Sequence, residues 1–258
     1  MNLKGKHVVI TGASSGIGKQ LALQLAKEGC SLILLARRVE LLEEVAQEAA
    51  SYNVFVKVYR CDVSDKSEVE KVFMQIKKFF GFIDILIANA GVSSRTDIRK
   101  VDSVKALQTF QVNVMGIINC AAQVIPDFIQ AKKGMLVGVS SLAESRGFPR
   151  SGYYCASKAA ASTYLESLRT DLKRYNVKIV TVKPGFVRTP MTDKNEFKMP
   201  FLIPVEKAVD YIVKGIKKEK RIIQFTFSAV VGITILKLLP DWLFDLLSQQ
   251  QLRKPLKK

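Results

Sequence analysis

The sequence predicts an α/β fold, a Rossmann-type doubly wound parallel sheet of about seven strands with helices on both faces, in one domain spanning residues 1–258. Three observations carry this. Short runs rich in Val, Ile and Leu alternate with longer stretches of helical periodicity. Those runs are apolar almost throughout, as strands buried on both faces must be. A glycine-rich turn, TGASSGIG at residues 11–18, closes the first of them.

Residues 7–10 make the first strand. Ile17, Leu21 and Leu25 then recur every four residues with Ala22 and Ala26 beside them, a helix with one apolar stripe. Strands follow at 31–35 and 54–59, separated by a charged amphipathic helix over 41–50. A second such helix covers 67–80, and strands at 83–88, 135–139 and 178–182 complete six. Right-handed crossovers between parallel neighbours give the doubly wound arrangement. An amphipathic helix is expected over 205–218, where Ala208, Ile212 and Ile216 are four apart.

The segment 222–258 differs from the rest. Residues 222–236 carry no charge, 222–227 have strand character, a further helix is expected over 238–247, and the chain ends LRKPLKK. Fifteen uncharged residues fall short of the ~20 a membrane-spanning helix needs. Two readings stand: a buried seventh strand with a docked helix, or apolar helices and a basic tail resting on a membrane surface.

Composition narrows the class. Apolar residues are 48% of 258, which excludes a disordered chain. Four cysteines, Cys30, Cys61, Cys120 and Cys155, exclude a disulfide scaffold, and none forms a C-x-x-C pair, so buried thiols are expected. A single histidine, His7, argues against a His-built metal site or a Ser-His-Asp triad. The first residues lack the apolar stretch of a signal peptide, so a cytoplasmic protein is expected. The formal charge of +17 points to acidic partners or simply to a lysine-rich surface. Without a helix-turn-helix, zinc module or stacking platform, nucleic acid is not an expected partner.

Glycines at 12, 16 and 18 bracket a tight strand-to-helix turn. Glycine admits positive φ and leaves room for a ligand. The helix that follows turns free N–H groups and its positive dipole end toward that space, which suits a dinucleotide pyrophosphate. Tyr154 and Lys158 are four residues apart at a helix start and share a face. An ammonium near a phenol lowers its pKa from the usual ~10, so the pair reads as a proton donor and its tuner.

The spelling T-G-x-x-x-G-x-G, with Asn89-Ala90-Gly91, Asn113, Ser141, Tyr154, Lys158 and Pro184-Gly185 in this order, resembles the short-chain dehydrogenase/reductase family over residues 5 to 190. The resemblance implies a catalytic set of Asn113, Ser141, Tyr154 and Lys158. Tyr154 exchanges the proton with the substrate oxygen, Ser141 bonds that oxygen, and Lys158 also holds the nicotinamide ribose. Asn113 breaks helix regularity and holds a water that links Lys158 to solvent. Ser140 and Tyr153 are neighbouring alternatives that the spacing disfavours.

It also implies cofactor contacts. Gly12, Ser14, Ser15, Gly16, Ile17 and Gly18 form the pyrophosphate turn. Asn89, Ala90 and Gly91 follow the fourth strand, and Asp62 and Val63 meet the adenine unless Asp62 merely caps a turn. Pro184, Gly185, Val187 and Thr189 hold the carboxamide. The second strand ends at Ala36 without the acidic residue of NAD-preferring relatives, and Arg37 and Arg38 follow. Guanidinium attracts a 2′-phosphate, so NADP(H) is the expected cofactor, although Ser15 stands where many NADP-using relatives have a basic residue.

The substrate loop is expected over 191–203, where Met191, Phe197, Met199, Phe201, Leu202 and Ile203 suggest an apolar, lipid-like ketone or ordinary lid packing. A second wall over 142–151 offers Arg146 and Arg150 to a carboxylate or phosphate. Three functions follow: an NADPH-dependent carbonyl reductase, a 3-oxoacyl-carrier-protein reductase, and a non-catalytic NADP-binding sensor. By the resemblance, a homodimer is expected through the helices that carry Asn113 and Tyr154. No metal is expected.

Overall fold

The computed structural model of the chain describes residues 1–193, 195 and 199–253, with side chains as far as Gln249. Strands β1 (His7–Thr11), β2 (Ser31–Ala36), β3 (Val56–Arg60), β4 (Ile85–Ala88), β5 (Met135–Val139), β6 (Lys178–Lys183) and β7 (Ile222–Gln224) form one sheet. Its order is β3-β2-β1-β4-β5-β6-β7, and every neighbouring pair is parallel. The strand order reverses between β1 and β4, and the crevice beyond their carboxyl ends is where such sheets take ligands.

Alternation along the strands divides the core. Val8 and Ile10 of β1 pack with α1 (Gly16–Lys27), α2 (Val39–Ala50) and α7 (Val205–Lys217) through Leu21, Leu25, Leu42, Val45, Val209 and Ile212. Val9, between them, points the other way, into the layer of α3 (Lys66–Phe80), α5 (Gly116–Ala131) and α6 (Gly152–Asp171), where Phe73, Ile76, Val124, Phe128 and Leu165 are buried. Helix α3 begins where Asp65 accepts hydrogen bonds from the backbone N–H of Ser67 and Glu68, and Lys77 and Lys78 sit in its last turn.

Helix α4 (Ser103–Phe110) runs through a π-helical turn at Gln111–Met115 into α5. By length and composition the combined helix Ser103–Ala131 could cross a membrane. In this fold it lines the sheet, with Ile117, Cys120, Ala121, Val124 and Phe128 buried against it. All four cysteines are buried and unpaired, and burial pushes the thiols of Cys30 and Cys61 up to about 12.

The C-terminal segment corrects the expectation for it. The strand stops at Gln224, not 227, because Thr226 takes φ +66 and turns the chain out of the sheet. Residues Phe227–Leu238 then form helix α8, and Asp241–Arg253 form α9. The helix expected over 238–247 thus begins at Asp241 and runs on to Arg253, and a second helix, α8, occupies most of the uncharged run before it. They are separated at Leu239, which is extended ahead of Pro240, since a proline disfavours helical geometry in the residue before it.

Candidate active site

Thr11 ends β1 and fixes the crevice. Its Oγ1 accepts from the backbone N–H of both Asn89 and Ala90 at 3.0 Å. Asn89 Nδ2 returns to the carbonyls of Thr11 (3.0 Å) and Gly12 (3.3 Å). The ends of β1 and β4 are thereby stitched together directly under the glycine turn. Two of its glycines are required by space. A Cβ on Gly12, where φ is +66, would stand 2.8 Å from Ala90 Cα; one on Gly18 would stand 2.2 Å from the Gly12 carbonyl oxygen. The turn is thus drawn tight, and the first N–H groups of α1 face an open cleft of about 280 Å³.

Every residue expected to contact the cofactor lines this cleft except Gly18, which lies beneath the turn. Arg38 reaches over it: one Nη2 donates to Ser14 Oγ and to Ser15 Oγ, both at 3.0 Å. Ser15, which lacks the charge expected of that position, is thus capped by a guanidinium from the next strand end. Arg37 points to Asp62, 3.7 Å away, and is largely exposed. Asp62 also makes the turn, with Oδ1 accepting from Ser64 N (3.0 Å) and Ser64 Oγ (2.6 Å). Val63 is held by Asn119, whose Nδ2 donates to its carbonyl at 2.9 Å.

At the other end stand Ser141, Tyr154 and Lys158. Ser141 follows β5 and receives the Ala143 N–H on its Oγ at 3.1 Å. It also hydrogen-bonds the Tyr154 phenol, which opposes the rise in pKa caused by burial. Burial dominates, so the phenol lies above its ordinary value of 10. That corrects the expected lowering by Lys158. The lysine Nζ is 5.8 Å from the centre of the Tyr154 ring and donates to the Val139 carbonyl at 2.8 Å. Burial lowers Lys158 itself from 10.5 to about 8, with Glu144 pulling it upward.

Asn113 lies in the π-helical turn and is fully buried. Its amide accepts from Val92 N (2.8 Å) and donates to Val92 O and to Ser157 Oγ (both 2.9 Å). The side chain therefore ties the widened turn to the loop after β4 and to the helix of Lys158. Tyr153 is engaged elsewhere, its hydroxyl accepting from Asp102 N at 3.0 Å.

Two charged residues escaped the sequence reading. Glu144 accepts from Ser140 Oγ at 2.9 Å and from Ser162 Oγ, and it pairs with Lys183. The side chains of Lys183 and Glu144 are only 17% and 13% exposed. Ser140 Oγ also reaches the Lys158 carbonyl at 3.0 Å. The one available signal was a pair of opposite charges close to motif residues, Glu144 three after Ser141 and Lys183 just before Pro184.

Of the substrate walls, Met191 lines the cleft and Val187 forms a bridge with Ile203. Phe201 is half exposed, and Phe197 lies outside the described residues. Arg146 is not free for an anion: it pairs with Asp241 at 3.2 Å and lies 4.3 Å over the Phe244 ring. Arg150 lends its carbonyl to Thr96 N at 2.8 Å.

A parallel sheet with a glycine cradle at its switch point and a Ser-Tyr-Lys cluster at the same cleft defines a nucleotide-binding oxidoreductase. The short chain dehydrogenase family model matches residues 6–199, and the chain belongs to that family. It is 35% identical to an uncharacterised oxidoreductase of Myxococcus xanthus over 93% of this chain and 95% of that one. It is 32% identical to a fatty acyl-CoA reductase of Acinetobacter baylyi over 90% and 80%. A short chain dehydrogenase/reductase of Burkholderia phymatum, solved with NAD, superposes over the whole of both chains with a TM-score of 0.85 at 22% identity, a likeness of fold.

Proposed function

We propose that the chain is an NADPH-dependent carbonyl reductase that reduces an apolar ketone to its alcohol, with Tyr154 as the proton donor. The observation that carries this is a single cleft with Arg38 bridging Ser14 and Ser15 at one end and Ser141, Tyr154 and Lys158 at the other. The cradle at Gly12 and Gly18 fits a pyrophosphate, and a guanidinium over two hydroxyls fits an additional phosphate.

NADPH, when bound, supplies the hydride. The chain supplies the rest. Tyr154 gives its phenolic proton to the substrate oxygen, and Ser141 donates a hydrogen bond to the same atom as charge gathers on it. The Lys158 ammonium, 5.8 Å from the centre of the Tyr154 ring, offsets part of the cost that burial places on the phenolate left behind. Asn113 holds the helix of Lys158 in place through Ser157. The exposed Val104, Leu107 and Met115, on the helix that leads through Asn113, support a homodimer through that face. The Acinetobacter relative acts on fatty acyl-CoA by its name, and an apolar substrate here agrees with that.

The test is turnover of long-chain ketones with NADPH by the full chain and by Tyr154→Phe. Loss of at least ~100-fold in kcat with NADPH affinity retained supports the reading. Equal rates would remove Tyr154 from the reaction, and absence of turnover in the full chain would favour a nucleotide-binding sensor.

A further inference from the structure

Helix α8 has no side chain buried in the fold. Phe227, Val231, Ile235 and Leu238 form an exposed stripe along it, with Phe227 85% and Leu238 78% exposed. Thr234 lies in that stripe, and its hydroxyl is satisfied by the Val230 carbonyl at 2.8 Å. On α9, Trp242 and Leu246 are likewise exposed one turn apart, with Trp242 69% exposed. Exposing a row of large apolar side chains along α8, with more on α9, is unfavourable unless something covers them.

The surface has a fixed relation to the cleft. The Ala229 Cβ is 3.6 Å from where a Cβ on Gly185 would stand, and Gly185 lines the cleft. Helix α9 is anchored to the second substrate wall by the Arg146–Asp241 pair and by Phe148 against Phe244, with ring centres 6.1 Å apart. The two helices therefore border the mouth of the active site with their apolar stripe turned outward.

Charge selects the partner. The stripe is uncharged from 222 to 236, while Lys218, Lys220 and Arg221 precede it, Lys237 stands near its end, and Arg253, Lys254, Lys257 and Lys258 follow in the sequence. Against these stand Glu219, Asp241 and Asp245, and Asp241 is paired with Arg146. Apolar residues flanked by cations match an anionic lipid surface, whose headgroups attract the flanks while the stripe enters the acyl boundary. At 12 residues α8 is about 18 Å long, too short to cross a ~30 Å hydrocarbon core, so it would lie in the interface.

We propose that α8 and α9 dock the protein on an anionic lipid bilayer, with the Phe227–Leu238 stripe immersed and the mouth of the cleft facing the lipid. The docked mouth then admits apolar substrate directly from the membrane. That delivery rests on the reductase reading above; the docking does not.

Trp242 is the only tryptophan of the chain, so its emission reports this surface alone. The full chain and the variant F227E/I235E/L238E are titrated with vesicles of phosphatidylcholine and phosphatidylglycerol in equal parts, and with phosphatidylcholine alone. Flotation is measured alongside, and thermal unfolding checks that the variant folds. Docking predicts a blue shift of Trp242 and flotation with the anionic vesicles, binding weakened severalfold by added salt, and a loss of at least ~10-fold in the variant. A full chain that ignores both vesicles, or a variant that binds as tightly, overturns it. So does a full chain that ignores vesicles but has twice the variant's mass in sedimentation, since a second copy then covers the stripe. NADPH titration without vesicles is run in parallel; its failure would overturn the reductase reading and leave docking standing.

Discussion

Lys158 and Tyr154 share a helix face, yet the lysine Nζ is bonded to the Val139 carbonyl at 2.8 Å and stands 5.8 Å from the centre of the tyrosine ring. Lys158 is only 4% exposed, so its ammonium is taken out of water. Its charge therefore carries a cost in the folded protein that the unfolded chain does not bear.

That cost has a pH signature. Folding lowers Lys158 from 10.5 to about 8, so between those values the unfolded chain binds more protons. The contribution of Lys158 to stability thus rises with pH across that window, and its full penalty is present below about 8. Lys158→Met should be more stable than the parent chain at neutral pH, on the order of a few kcal/mol. The difference should shrink as pH approaches 10.5. Denaturant unfolding of both proteins across the range checks this; a difference independent of pH contradicts it.

The same lysine should shape the rate. Its charge is held by the partly buried Glu144, which raises its pKa. The kcat/KM for ketone reduction should fall as pH rises through about 8, and Glu144→Gln should move that fall to lower pH. Glu144→Ala also leaves the partly buried Lys183 without its partner and should cost about 1–3 kcal/mol of stability. A pH–rate profile and thermal unfolding of the two variants separate the effects. An unmoved profile in Glu144→Gln would make Glu144 a structural residue alone.

The glycine cradle makes a steric prediction. A Cβ on Gly18 stands 2.2 Å from the Gly12 carbonyl and 2.6 Å from Asn89 Nδ2, so Gly18→Ala must open the turn or break the bond from Asn89. Stability should drop by about 1–3 kcal/mol, as overpacked sites do. Nucleotide affinity should drop by at least ~10-fold, because the turn and the end of β4 no longer meet. Calorimetry on the variant reads both; unchanged affinity contradicts the cradle.

The first six strands and the order of motifs were legible because periodicity and glycine spacing are local properties of the chain. Tyr154, Lys158 and Ser141 could be paired for the same reason. The direction of the Tyr154 shift could not, since burial and the hydrogen bond from Lys158 to Val139 depend on how α6 meets β5. Glu144 and Lys183 are 39 positions apart, and only the sheet brings them together. The uncharged run 222–236 was ambiguous for another reason: a continuous apolar stretch satisfies a strand and a helix equally. The positive φ of Thr226 decides it, and no residue type announces that. The expected roles of Arg37 and Arg38 also divide, because only Arg38 reaches the serines of the turn.

That division gives the most direct test of the central claim. Purified protein is titrated with NADPH and with NADH by fluorescence, then again as Arg38→Ala and as Arg37→Ala. The account predicts that NADPH binds at least ~10-fold more tightly than NADH, that Arg38→Ala abolishes most of the difference, and that Arg37→Ala changes it less. Equal binding of the two nucleotides by the parent chain would contradict the assignment of Arg38 to a 2′-phosphate and with it the NADPH-dependent reductase.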